Sequence, residues 1–175
     1  MSATMLIDIV SVFPEYFDVV GLSLMGKARD KGLLSITTHN LRDWTHDVHH
    51  SVDDTPVGGG AGMVMRPEVW ADCLDDLLDL TGPDDSDASP SAEDINGTTP
   101  SSAPSSAASP SSATSTAEAR TTATPILIFP NPSAPLFTQS EATRLSHAGH
   151  LVFGCGRYEG YDARVPEYYR GRGLD

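Results

Sequence analysis

Positive charge is scarce in this chain. Its 175 residues hold 11 Lys and Arg against 24 Asp and Glu, a formal net charge of -13. Phosphate binding needs local Lys and Arg, so the overall balance argues against a nucleic-acid partner. The charge is uneven, however: residues 81–124 contain six acids and one base, a net of -5 that leaves -8 for the rest. Four further acids, Asp72, Asp75, Asp76 and Asp79 in "ADCLDDLLDL", are expected on the wet face of one helix. The objection to a polyanionic partner is therefore weakened, not removed. Cysteine is also rare: Cys73 and Cys155 match no metal-ligand or redox spacing, which points to a reduced, cytosolic chain. No basic stretch leads into an apolar one at the start, and no apolar run approaches the roughly 18 residues of a membrane span. The expectation is a soluble, cytoplasmic protein without membrane contact.

Residues 81–124 lack aromatics altogether, and Ile95 is their one large aliphatic. Such a stretch cannot bury enough apolar surface to offset roughly 1–2 kcal/mol of backbone entropy per residue, so it reads as a disordered insert. Too few residues follow it for a second α/β domain, and too few strands precede it to close a sheet. A single interrupted domain over 1–175 is the better reading.

What is present around the insert is an α/β pattern. "LIDIVSV" (6–12) alternates and β-branches as a strand, and the following stretch to Gly32 has helical spacing. Pro14 suits its first turn, Phe17, Val20, Leu24 and Ala28 fall on one face, and Gly32 suits the C-terminal cap. "LLSITTH" is a second strand, so the start is a βαβ unit and the sheet is expected to be largely parallel. A long loop rich in turn-formers precedes a helix over 66–80 with Val69, Cys73, Leu77 and Leu80 on one side. After the insert come strand "PILIF", a helix opened by a Thr138–Glu141 capping box and ended by Gly149, strand "HLVF", and a last helix capped by Asp162 and kinked or reset by Pro166.

Two glycine clusters carry the candidate chemistry. Gly154, Gly156 and Gly160 follow a strand, but G-x-G-x-x-x-G is not the dinucleotide spacing, and no second strand with its acidic residue follows before the sequence ends at Asp175. A tight strand-to-helix turn and a ligand contact both explain such glycines. Arg157, Tyr158 and Glu159 between them favour a ligand, since open α/β sheets bind ligands at this edge. "VGGGAGM" (57–63) lacks the Lys-Ser/Thr of a phosphate loop, because Met63 and Val64 stand there. It reads as a mobile lid or as an ordinary surface loop. His46, His49 and His50 beside Asp43, Asp47, Asp53 and Asp54 lack helical i, i+4 spacing and read as polar loop contacts, with no metal expected. No nucleophile elbow supports hydrolysis.

Taken together and in order, "IVSVFPEYF", "KGLLSI", "LRDWTHDVHHSVDDTPVGGGAGMVM" and "LVFGCGRYEGYDARV" resemble the bacterial tRNA (guanine-N1)-methyltransferases, a SPOUT family with a trefoil-knotted α/β fold. The likeness covers nearly all of the chain outside 81–124, where the family has a much shorter connection. It implies S-adenosylmethionine bent against three backbone loops, the first matching "FPNPS" and the second "CGRYEG". By position, Pro130, Asn131 and Pro132 line the first wall, Gly156 lets the backbone meet the cofactor, and Tyr158, Glu159 and Gly160 continue the second. A Glu159 carboxylate can accept hydrogen bonds from the cofactor amine and offset the sulfonium. Asp53, Gly58, Gly59, Gly60 and Gly62 match the family's tRNA-facing loop, and Arg157 is grouped with them.

The product implied is N1-methylguanine at position 37, just 3′ of the anticodon. N1 of guanine carries a proton, so the reaction needs a base. The family's Asp base and its helper Arg lie C-terminal to anything matched here, beyond Asp175. Neither role is transferred to Asp162, to Asp175 or to any other residue, so no catalytic residue is assigned. The family also continues into a third cofactor loop and a helical tRNA-binding domain, whereas this sequence stops at "YYRGRGLD". The expectation is the N-terminal part of a SPOUT domain with an incomplete knot, homodimeric at full length, and weak or inactive alone. The alternative is a non-catalytic α/β module that binds a nucleotide or a protein, with the acidic insert as an interaction tail.

Overall fold

The alternating, β-branched run near the start forms β1 (Met5–Ser11), and the Leu-Ile-Thr run after Gly32 forms β2 (Leu34–Asn40), paired parallel to it. This computed structural model describes residues 4–56, 58–80 and 124–174. The expected insert, apart from Thr124, lies outside them, and so does Asp175. Two short strands, β3 (Asp53–Asp54) and β4 (Val64–Met65), make a separate antiparallel ribbon. β5 (Ile126–Ile128) and β6 (His150–Cys155) complete a four-stranded sheet in the order β2-β1-β6-β5, every pair parallel. All four strands therefore point their C-terminal ends at one edge, and the loops after them gather there.

The core lies where α2 (Pro67–Leu77) covers this sheet. Val69, Trp70, Cys73, Leu74 and Leu77, on one helical stripe, are buried with Val10, Val12 and Val152, and α4 (Arg164–Gly171) adds Val165 and Tyr169. Leu80, expected on that stripe, falls beyond it. The helix ends at Leu77, Asp79 takes a left-handed φ of 54°, and Leu80 packs against the core from the following loop.

The aspartate row of α2 is more than a wet face. Trp44 Nε1 donates to Asp76 (3.1 Å), the Tyr169 hydroxyl donates to Asp75 (2.7 Å), and His46 Nε2 lies 3.1 Å from Asp72. Three of the four acids thus tie the long loop and α4 to this helix.

The expected first helix is broken in two. Pro14–Gly21 is a 3-10 segment, Leu22 is extended, Ser23 has φ 54°, and α1 runs Ser23–Asp30. Gly26 packs directly on the Gly21 carbonyl, an approach that any Cβ would block. The proposed face of Phe17, Val20, Leu24 and Ala28 is consequently not buried, and Leu24 is 77% exposed. Gly32 does take the left-handed position after α1 (φ 68°), with Leu33 N–H donating to Ala28 O and Gly32 N–H to Arg29 O, the two bonds of a Schellman cap.

Only half of the capping box forms on α3 (Gln139–Leu145). Thr138 accepts from Glu141 N–H, but the Glu141 carboxylate accepts from Arg144 instead of reaching back. This helix stops at Leu145 rather than Gly149, whose carbonyl instead accepts from Leu6 N–H beside β6. Asp162 accepts from Arg164 N–H at the start of α4, and Pro166 sits in its first turn, where a missing N–H costs nothing.

One polar cluster lies on the sheet. Asp8 on β1 accepts from His39 Nε2 on β2 (2.7 Å) and from His150 Nε2 on β6 (2.6 Å). Register places all three on the face that holds Val10. Burial pushes the Asp8 carboxyl up, but the hydrogen bonds and charges of His150 and His39 outweigh it and hold the group well below the usual carboxylate range.

Candidate functional site

At the C-terminal edge of the sheet, the two glycine clusters meet. β6 ends at Cys155 and runs into the turn 156–160, in which Gly160 N–H donates to Arg157 O (3.2 Å). Tyr158 and Gly160 both have positive φ, 59° and 106°. Gly is at ease there; an aromatic residue is not, and left-handed backbone costs it roughly 1–2 kcal/mol.

Opposite lies the ribbon tip between β3 and β4, where Gly59, Gly60 and Gly62 have positive φ and Gly59 N–H donates to Pro56 O. The two loops are stitched by Glu159 N–H to Met63 O (3.1 Å) and Met65 N–H to Gly160 O (3.1 Å). Gly62 lies so close to Glu159 that an added Cβ would stand 2.8 Å from its Cγ. Gly58, Gly59 and Gly60 face open space.

Met65 is the pivot of this arrangement. Fully buried, it pairs with Asp53 across the ribbon, bridges to Tyr161, and offers its sulfur to Arg157 N–H (3.2 Å). Asp53 is half-buried, and its carboxylate accepts no hydrogen bond from a described residue. The Glu159 carboxylate is likewise unengaged, and exposed.

The close approach at Gly156 is made by Tyr161. Its ring would stand 2.6 Å from a Cβ added at Gly156, and its hydroxyl accepts from Gly156 N–H and donates to Gly154 O. Burial pushes this phenol up, so it stays protonated and can donate. Trp70 and Phe129 pack edge-on against the Tyr161 ring.

Pro130, Asn131 and Pro132 follow β5 at the same edge and are exposed. Asn131 is engaged within its own loop, accepting from Ser133 N–H (2.8 Å) and Ala134 N–H (3.0 Å). Among the described residues, no hydrogen bond joins 130–132 to the 156–160 turn.

Asp162 is not poised as a base. Asp162 is committed to Arg164, whose guanidinium it accepts from at 2.9 and 2.7 Å, and that pairing lowers its carboxyl to about 2. Such a weak base is unsuited to taking a proton near neutral pH. Asp175 lies outside the described residues.

The histidine loop is held by polar contacts. Asp47 accepts from His49 and Ser51 N–H, Thr45 Oγ1 lies 2.9 Å from His50 Nδ1, and Arg42 donates to His50 O. Sequence reasoning missed Met65 and Tyr161 as parts of the site. Their apolar and aromatic character signals only burial, and nothing local says that they bridge two loops. Among the described residues, no helix is long and apolar enough to cross a membrane.

The family model described as tRNA (Guanine-1)-methyltransferase TrmD matches residues 5–86 and 106–171. The tRNA (guanine-N(1)-)-methyltransferase of Bifidobacterium longum subsp. infantis is 64% identical over 171 residues, 98% of this chain and 51% of its own length. That of Bifidobacterium adolescentis is 65% identical over 176 residues, covering 98% and 58% respectively. The Clavibacter sepedonicus protein of the same name is 43% identical over 164 residues, covering 94% and 54%. The chain thus spans about half the length of the curated relatives it matches.

Proposed function

The chain belongs to the tRNA (guanine-1)-methyltransferase family, and from that premise we propose that it forms the cofactor-side half of an S-adenosylmethionine-dependent enzyme methylating N1 of guanine 37 in tRNA. The observation that carries this reading is the seam between the two glycine loops. The tRNA-facing loop and the cofactor turn are joined by Glu159 N–H to Met63 O and by Met65 N–H to Gly160 O. Seating one ligand therefore constrains the other.

The residues present fit the cofactor. S-adenosylmethionine supplies a methyl group activated by a sulfonium. Glu159, exposed and with its acceptor oxygens unengaged, suits the amine of its amino-acid part. Pro130, Asn131, Pro132, Gly156 and Tyr158, all exposed, and the half-buried Gly160 would line its walls. Asp53, Gly58, Gly59, Gly60, Gly62 and Arg157 would face the tRNA. No described residue is assigned as the base that takes the N1 proton. The setting is the cytoplasm, where tRNA is modified. A second copy of the chain would cover Tyr16, Val19, Leu22, Leu24 and Met25, which are 40–77% exposed.

The test is methyl transfer from radiolabelled S-adenosylmethionine by this chain fused to the remaining half of the Bifidobacterium longum subsp. infantis relative. Incorporation into a transcript with guanine at position 37, and none into one with adenine there, is the expected result. Absence of transfer to either overturns the proposal. Light scattering of the same protein reads the dimer.

A further inference from the structure

The last residue before the 3-10 segment, Phe13, faces Arg157 for a topological reason. Ser11 on β1 is in register with Cys155 on β6, so two residues further on, beyond both strand ends, Phe13 and Arg157 emerge side by side. The guanidinium carbon of Arg157 lies 4.9 Å from the Phe13 ring centroid and 5.5 Å from that of Tyr158. The two rings are 50% and 48% exposed, although rings of this size normally bury more. Both are held in place by backbone. Phe13 N–H donates to the buried Ser11 hydroxyl (3.1 Å) and its carbonyl accepts from Tyr16 N–H (3.2 Å), while Tyr158 is presented by its left-handed φ.

Arg66, Arg144 and Arg164 each pair with a carboxylate, whereas Arg157, like Arg29 and Arg42, has none within ion-pair distance among the described residues. In a chain of net charge -13, a cation is kept here without a counter-charge and beside the glycine seam. A cation–aromatic contact uses no N–H donor, and the guanidinium donates to no described residue, so its planar fork is available. A fork of N–H donors with one positive charge fits a phosphodiester group.

We propose that Phe13 is a positioning residue for the nucleic-acid substrate: with Tyr158 it fixes the Arg157 guanidinium to receive a backbone phosphate of the tRNA next to the reacting base. This rests on the function proposed above and adds to it a residue outside both glycine loops.

The experiment uses the fusion protein already described. It compares Phe13→Leu, Phe13→Tyr, Arg157→Gln and the Phe13→Leu/Arg157→Gln double variant in steady-state methylation across a salt series. Phe13→Leu should raise KM for tRNA about three- to fivefold, with kcat and S-adenosylmethionine affinity unchanged, and Phe13→Tyr should restore it. Arg157→Gln should raise KM about tenfold or more and reduce the salt dependence of tRNA binding by about one phosphate contact. The double variant should be no worse than Arg157→Gln alone. Wild-type KM in both single variants overturns the proposal while leaving the methyltransferase reading intact. Equal losses in cofactor affinity and thermal stability, unrescued by Tyr, overturn it as well by making Phe13 merely structural. Failure of the wild-type fusion to methylate refutes the function and this inference together.

Discussion

Replacing Asp8 removes an acceptor shared by three adjacent strands. Its carboxylate is 16% exposed and the two imidazoles it joins are 18% and 11% exposed, so water cannot fully substitute for it. An ionised carboxylate only accepts, so both Nε2 atoms must carry hydrogen. Asp8→Ala leaves two such donors facing a void. At about 1.5–3 kcal/mol for each hydrogen bond to a charged group, and with the usual penalty for breaking a buried pair, the expected loss is about 3–5 kcal/mol.

Asp8→Asn is the discriminating variant. Its oxygen accepts from one ring, and its amide can donate to the other if that imidazole moves its proton to Nδ1. The loss should then fall to about 1–2 kcal/mol. The pH dependence follows from the lowered carboxyl. With the folded value below the ordinary 3.8, the contribution is fully present above 3.8 and is lost as pH falls from there towards the folded value. The part of the stability gap between wild type and Asp8→Asn that the carboxylate supplies should therefore begin to shrink as pH falls below about 4. Urea unfolding followed by tryptophan fluorescence at several pH values measures this. Equal losses for Ala and Asn, or a gap that persists unchanged at pH of about 3, would refute the argument.

Three other outcomes are expected. Gly62→Val places a branched side chain at φ 104° and 2.8 Å from Glu159 Cγ, so it should separate the two loops and cut methylation by the fusion at least tenfold; full activity would mean that the seam is dispensable. Glu159→Gln should weaken S-adenosylmethionine binding about 10- to 100-fold in calorimetry while leaving the melting temperature unchanged, and the reverse ordering would make Glu159 structural. Tyr169→Phe removes the hydroxyl that donates to Asp75 (2.7 Å) and lies 3.2 Å from Ala71 O, between α4 and α2, which should cost about 1.5–3 kcal/mol in urea unfolding without altering cofactor affinity; an unchanged midpoint would show that α4 is held by packing alone.

Local physics made several features legible in the sequence. β-branched alternation gave β1 and β2, the i, i+4 apolar spacing gave the buried stripe of α2, and a glycine after Lys31 gave the left-handed cap of α1, because each depends on neighbours within a turn or a pleat. The glycine clusters marked tight turns by their composition, and Gly59, Gly60, Gly62 and Gly160 take positive φ there, whereas Gly58, Gly154 and Gly156 do not.

What escaped the sequence depends on groups far apart along the chain. Helical spacing over 13–32 could not reveal the break at Leu22, since the stretch buries no side chain and so nothing from the core enforces one continuous helix. Asp8, His39 and His150 look like scattered polar residues until strand register places them on one face, and Phe13 meets Arg157 only because β1 and β6 are neighbours in the sheet. Met65 and Tyr161 became parts of the site in the same way: one-dimensional pattern records which side chains want burial, but parallel pairing across more than 90 residues decides which of them meet.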